Sequence, residues 1–178
     1  MKYLYVGALA EVERAALTAI GECAAQRFGM QVREIALPSI DFAFDAGRKQ
    51  YASVAALELA ARMCPPDAAK LLAVTERDLF VPVLTFVFGQ AQLGGRAAIV
   101  SLARLRQEFY GLPANPPVFL ERARKEALHE LGHTFGLVHC ATETCAMSLA
   151  TGVRHIDSKE AAFCTPCGAR LVRHQVNS

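Results

Sequence analysis

Residues 129–139 read His129-Glu130-Leu131-Gly132-His133-Thr134-Phe135-Gly136-Leu137-Val138-His139, the pattern H-E-x-x-H-x-x-G-x-x-H of a three-histidine zinc site. Residues four apart on an α-helix lie on nearly one face, a turn apart, so His129 and His133 can aim their imidazoles at a single ion. Glu130, about a quarter turn away, can lean over that ion without binding it, which makes it the candidate general base. A third ligand requires the chain to turn sharply. Gly136 supplies that turn, because glycine enters the left-handed conformation that ends helices at little cost, and His139 follows as the third ligand. Three neutral nitrogens leave a fourth position open, the catalytic rather than the structural arrangement. Five such fixed positions arise by chance in a chain of this length on the order of once in 10⁵ sequences.

Composition bounds the rest. At 178 residues and 53% hydrophobic content, the chain is expected to form a single domain over 1–178 that needs no covalent staples. Nineteen basic and 17 acidic residues leave a net charge of +2 with no long basic run, so neither nucleic acid nor a membrane surface is expected as a partner. The segment Lys2 to Ala10 imitates a short export signal, but Glu11 interrupts it too early, and it reads as a first buried strand. No stretch approaches the length of a membrane span. A cytoplasmic monomer is the expectation.

Of the six cysteines, Cys23 and Cys64 lie in apolar helical settings and read as small core residues. Cys140, Cys145, Cys164 and Cys167 fall into two pairs, C-x4-C and C-x-x-C. Their spacing suits a metal site, two disulfides or a redox-active pair.

Along the chain, Tyr3–Leu9 reads as a strand and residues 11–28 as a helix with Val12, Ala16, Ala19, Ile20 and Cys23 on one face and Gly29 at its end. Val32–Leu37 is the second strand, residues 48–63 a second helix stopped by Pro65-Pro66, and Leu71–Thr75 the third strand. This alternation implies a parallel sheet covered by helices. Val83–Phe88 and Ala97–Leu102 are two further strands joined through Gly94-Gly95, and Pro82 marks the first of them as an edge strand, able to pair with an extended peptide. The side chains of Phe86 and Phe88 read as core. Asn115-Pro116-Pro117 opens the motif helix, with Leu120, Ala123, Ala127 and Leu131 as its core stripe.

The third histidine is followed by Cys140, Cys145, Met147, Cys164 and Cys167, that is H-C-x4-C-x-M, sixteen residues, then C-x-x-C. Together with the segments beginning at Asp78 and Leu93, this resembles the archaemetzincins, a family of small metzincin peptidases, over roughly the second half of the chain. The family's spacing between methionine and C-x-x-C is one residue longer, which sets the loop around Thr151 and Gly152 apart.

The resemblance implies a minimal metzincin-like α/β (α+β) fold. Its parts would be a mixed, mostly parallel sheet with an antiparallel edge strand, a backing helix, an active-site helix and a small zinc-stapled C-terminal part. The half-domains would divide near residue 136. It further implies two zinc ions, one catalytic on His129, His133 and His139, the other structural on Cys140, Cys145, Cys164 and Cys167. Met147 would be the Met-turn residue beneath the histidines. The implied activity is hydrolysis of a peptide lying antiparallel to the edge strand Val83–Phe88. A zinc-binding scaffold with little or no catalysis is the competing reading. Leu149 stands where some relatives place a second, tyrosine donor to the oxyanion. His155 falls near the primed-side wall of the cleft, and His174 is expected in an exposed tail.

Overall fold

The apolar run near the start of the chain forms the buried strand β1 (Tyr3–Leu9). The computed structural model describes residues 2–176. It continues with α1 (Arg14–Phe28), β2 (Val32–Leu37), β3 (Phe44–Asp45), β4 (Gln50–Ala52), α2 (Ser53–Met63), β5 (Ala68–Thr75), β6 (Leu79–Phe80), β7 (Gly89–Ala91), β8 (Ala97–Ser101), α3 (Pro116–Thr134), α4 (Val153–Ser158) and α5 (Thr165–Val176). The main sheet has the order β2-β1-β5-β8-β7, parallel throughout except for β7, which runs antiparallel to β8 at the edge. This is the expected mixed sheet. Its central strands are buried on both faces, which is why Leu71–Val74 of β5 and Ala97–Val100 of β8 read as continuous apolar runs. Leu72, Val74, Ala98 and Val100 pack with α1 and α3, whereas Leu71, Ala73, Ala97 and Ile99 pack with α2 on the opposite face. Among the described residues no helix is long and apolar enough to cross a membrane.

Two elements depart from the sequence reading. Residues 50–52 belong to a small second sheet, β3-β4-β6, so the second helix starts only at Ser53. The cause is long-range: Tyr51 N donates to Asp78 O, and the Gln50 amide donates to Asp78 Oδ2 and Thr85 O. The second correction concerns the edge strand. Val83–Phe88 is not a strand; it is a loop that touches the small sheet at one bridge, Val87 to Leu79, and the edge strand is Gly89–Ala91. Side chains take the place of a ladder at the start of the loop, since Arg48 donates to Pro82 O and Leu84 O and Gln50 to Thr85 O; Phe88 O, at its end, accepts from β8, through Ser101 N. Val83 is 88% exposed, so its apolar character has no core to serve.

Three sets of contacts fix α3 against the sheet and the C-terminal segment. Asn115 caps it by accepting from Val118 N at 3.3 Å, as its sequence signature predicts. At the other end, buried Lys70 of β5 donates to Thr134 O and to Gly95 O, both at 2.7 Å, and Gly94 N donates to His133 O. The β7–β8 turn is thereby tied to the end of the motif helix. Along its flank, Arg122 forms a bidentate pair with Asp157 of α4 at 2.7 Å, and Glu126 meets Lys159 at 3.0 Å with both side chains buried.

Removing the cation from a buried pair leaves an uncompensated carboxylate, which costs about 3 to 5 kcal/mol. Lys159→Met should therefore lower stability by that amount in urea denaturation, and Glu126→Gln in the same chain should recover most of the loss.

Candidate active site

A neutral imidazole carries one proton, and in both helical histidines the backbone fixes where it sits. His129 Nδ1–H donates to Ala146 O at 2.9 Å, and His133 Nδ1–H donates to Leu137 O at 2.8 Å. Both Nε2 atoms are then bare, yet they stand 3.1 Å apart. A hydrogen bond between them would need one ring to be protonated. Burial, with Lys159 also close by, holds the His129 pKa well below the ordinary value and lowers those of His133 and His139, which favours the neutral form of both helical rings. Two converging lone pairs at this distance suit a cation. Nitrogens at 2.0–2.1 Å from a tetrahedral zinc lie about 3.3 Å from one another.

The third histidine arrives by the turn its glycine predicts. Gly136 has φ 82°, Gly136 N donates to His133 O, and Leu137 N donates to Gly132 O at 3.0 Å, the double closure of a Schellman cap. His139 then lies with its ring centroid 5.3 Å from that of His129 and 5.0 Å from that of His133. One nitrogen from each ring falls within 4.8 Å of the others. The three motif histidines thus come together as their spacing predicts.

Glu130 is buried beside them, 5% exposed. Burial raises its pKa well above the usual carboxylate range, and the nearby Glu126 adds to the rise. Its carboxylate lies directly against the edge strand. A Cβ added at Gly89 would meet Glu130 Oε1 at 2.6 Å and Ile99 O at 2.5 Å, so only glycine admits this approach. Met147 is fully buried and its sulfur packs on Gly132, where a Cβ would overlap it. The methionine sits under the histidine-bearing turn, and the small residue inside the motif makes room for it.

Cys140, Cys145, Cys164 and Cys167 also converge, with their Sγ atoms within 4.8 Å of one another and no disulfide among them. The 3.7 Å between Cys140 Sγ and Cys164 Sγ is too long for a disulfide and close to the roughly 3.8 Å expected of two thiolates on one tetrahedral zinc. Backbone N–H groups donate to the sulfurs of Cys140 and Cys145. The Thr142 N–H in particular brings the Cys140 pKa down to about 7, whereas burial pushes Cys145 and Cys167 up. Of the remaining cysteines, Cys23 is buried in the core and Cys64 is half-buried at the end of α2.

The histidines open onto a cleft of about 760 Å³ walled mainly by apolar groups, including Leu84, Phe86, Leu93, Val138 and Leu149. Phe88 is buried and Phe86 half-buried, in edge contact at 5.0 Å. Leu149, 58% exposed at the rim, offers no donor. His155 lies on α4, lining an adjoining cavity rather than the cleft itself. His174 is exposed, but on a helix and not in a tail: its ring lies against the Gly136 turn, where a Cβ would come within 3.1 Å of it. Gly89, Lys159 and Lys70 went unrecognised in the sequence. Only Glu126 carried a local signal, three residues before His129 and four before Glu130.

Both glycine contacts are testable. Gly89→Ala should keep the fold and lower kcat of peptide hydrolysis, by displacing Glu130 and the edge strand together. Gly132→Ala should displace Met147, cost about 1 to 3 kcal/mol of stability as overpacking does, and weaken metal retention, measured by dialysis against a chelator.

The family model of peptidase family M54 matches residues 67–173. The archaemetzincin of Methanocaldococcus jannaschii is 43% identical over 138 residues, 76% of this chain and 75% of its own length. The crystal structure of the archaemetzincin of Methanopyrus kandleri superposes with a TM-score of 0.88 at 34% identity, covering 98% of this chain and 96% of that one. A zinc-dependent peptidase from Methanocorpusculum labreanum gives a TM-score of 0.84 at 31% identity, covering 94% and 99%. The chain is therefore a zinc metallopeptidase and belongs to peptidase family M54, the archaemetzincins.

Proposed function

We propose that this peptidase hydrolyses peptide bonds with Glu130 as general base, and that His129, His133 and His139 hold its catalytic zinc. The observation that carries this reading is the buried Glu130 carboxylate beside two bare Nε2 atoms 3.1 Å apart. Zinc bound there supplies the Lewis acidity that acidifies water and polarises a carbonyl. Glu130 takes the proton of the attacking water and passes it to the departing amine nitrogen. Burial raises its pKa, and a dication bound at the histidines would work in the opposite sense. Gly89 keeps the carboxylate against the edge strand, and Met147 supports the turn that carries the ligands.

The substrate lies extended along the free edge of β7, antiparallel to it, and so passes over the histidines. A second zinc on Cys140, Cys145, Cys164 and Cys167 staples α5 to the residue that follows His139. This four-thiol cluster with no disulfide suits a reducing compartment, and we place the protein in the cytoplasm as a monomer.

Glu130→Gln should fold, retain zinc and lose on the order of 10²- to 10⁴-fold in hydrolytic rate. Unchanged hydrolysis would assign the activity to another site and favour the competing scaffold reading. His133→Ala should lose metal as well as rate. Elemental analysis should find two zinc ions per chain, falling to one in Cys164→Ser or Cys167→Ser, each with a lowered melting temperature. A single zinc in the intact protein would remove the cysteine site.

A further inference from the structure

A second cavity, of about 410 Å³, adjoins the cleft and shares Phe86 and Thr151 with it. Arg104, Tyr110, Arg154 and His155 line it, and among the described residues no acidic side chain does. Arg104 is rigidly mounted. Its Nε and Nη2 pair with the two oxygens of Asp78 at 2.7 and 2.9 Å, leaving Nη1 outside the pair. Its guanidinium lies 4.1 Å from the ring centroid of Phe86 and 4.7 Å from that of Phe109. Tyr110 donates its hydroxyl to Arg104 O at 2.9 Å. His155 Nδ1 accepts the N–H of Thr151 at 3.3 Å, which leaves the ring proton on Nε2 as a donor. The neighbouring Asp157 is taken up by Arg122. Arg154, exposed on α4, has no carboxylate partner among the described residues. After the Arg104–Asp78 pair is set aside, the cavity carries one surplus positive charge and several N–H donors.

The direction of the substrate decides what reaches it. The chain enters β7 from Phe86 and Val87, so the cavity lies off the N-terminal end of that strand. On an antiparallel peptide, the residues beyond the scissile bond run toward it. A parallel peptide would instead bring its terminal ammonium against Arg154, which like charge opposes. We infer that this cavity receives a substrate carboxylate, the C-terminal α-carboxylate of a short peptide, so that the enzyme releases short C-terminal fragments. The inference rests on the peptidase reading. It adds a second anchoring point at the far end of the cleft.

Binding to the zinc-loaded Glu130→Gln protein tests it without turnover. The probes are N-acetylated alanine and leucine peptides of graded length, each as free acid, as C-terminal amide, and as amide ending in glutamate, with affinities read by calorimetry. At the best length the acid should bind about tenfold tighter than the amide, the worth of a charge-assisted hydrogen bond. Arg154→Gln should reduce the acid to the affinity of the amide, and Arg154→Lys should keep part of the preference. A glutamate amide that matches the acid would assign the carboxylate to a side chain; one that matches the plain amide assigns it to the chain terminus. Equal binding of acid and amide at every length, or a preference that survives Arg154→Gln, overturns the inference. If no probe binds while the wild-type protein cleaves longer peptides, the inference fails and the peptidase reading stands. An intact acid preference in a protein that hydrolyses nothing would sink the peptidase reading alone.

Discussion

The carbonyls of Leu137 and Ala146 hold the Nδ1 protons of His133 and His129, and the rest of the site depends on that constraint. A neutral imidazole has one proton to place, so engaging Nδ1 frees Nε2 and fixes the plane of the ring. Neither carbonyl belongs to the helix that carries the histidines. Leu137 lies just past the Gly136 turn, and Ala146 beside Met147 beyond the first cysteine pair. The two rings therefore reach this arrangement only when the segment after the helix has folded back. The cysteine cluster, which begins next to His139, is placed to hold that segment there.

Electrostatics impose a second condition on the same helix. Glu126 and Glu130 are both buried on it, and two carboxylates in the interior raise each other's cost. Lys159 offsets one of them through a pair that also joins the motif helix to the chain after α4. Among the described residues no cation pairs with Glu130, which faces the histidines and the edge strand. Small residues allow the approach. Gly89 admits the carboxylate and Gly132 admits the methionine sulfur, so two positions without side chains set distances around the site.

The apolar cleft and the basic cavity beside it offer two kinds of contact. Leu84, Val138 and Leu149 offer contact area with little directional preference. Arg104, held by Asp78 and stacked between two rings, and Arg154 on α4 offer direction. Phe86 stands between the two regions and contacts both.

The sequence by itself determined what depends on near neighbours. The i, i+4 histidines, the Gly136 turn, the Asn115 cap and the paired cysteines each follow from spacing or from one residue's conformational range, and all are found where their local chemistry puts them. The class of the sheet was legible for the same reason, because strands buried on both faces are mostly apolar. Tertiary structure alone decided the rest. Val83–Phe88 has the composition of a strand, but Arg48 and Gln50, more than thirty residues away in sequence, hold the carbonyls of Leu84 and Thr85, with Pro82 O just before them, and the edge position falls to Gly89–Ala91. Nothing near Lys159 announces Glu126, and nothing near Gly89 announces Glu130. Such partners are set by which elements close on one another, and a periodic pattern records which face is buried but not what it is buried against.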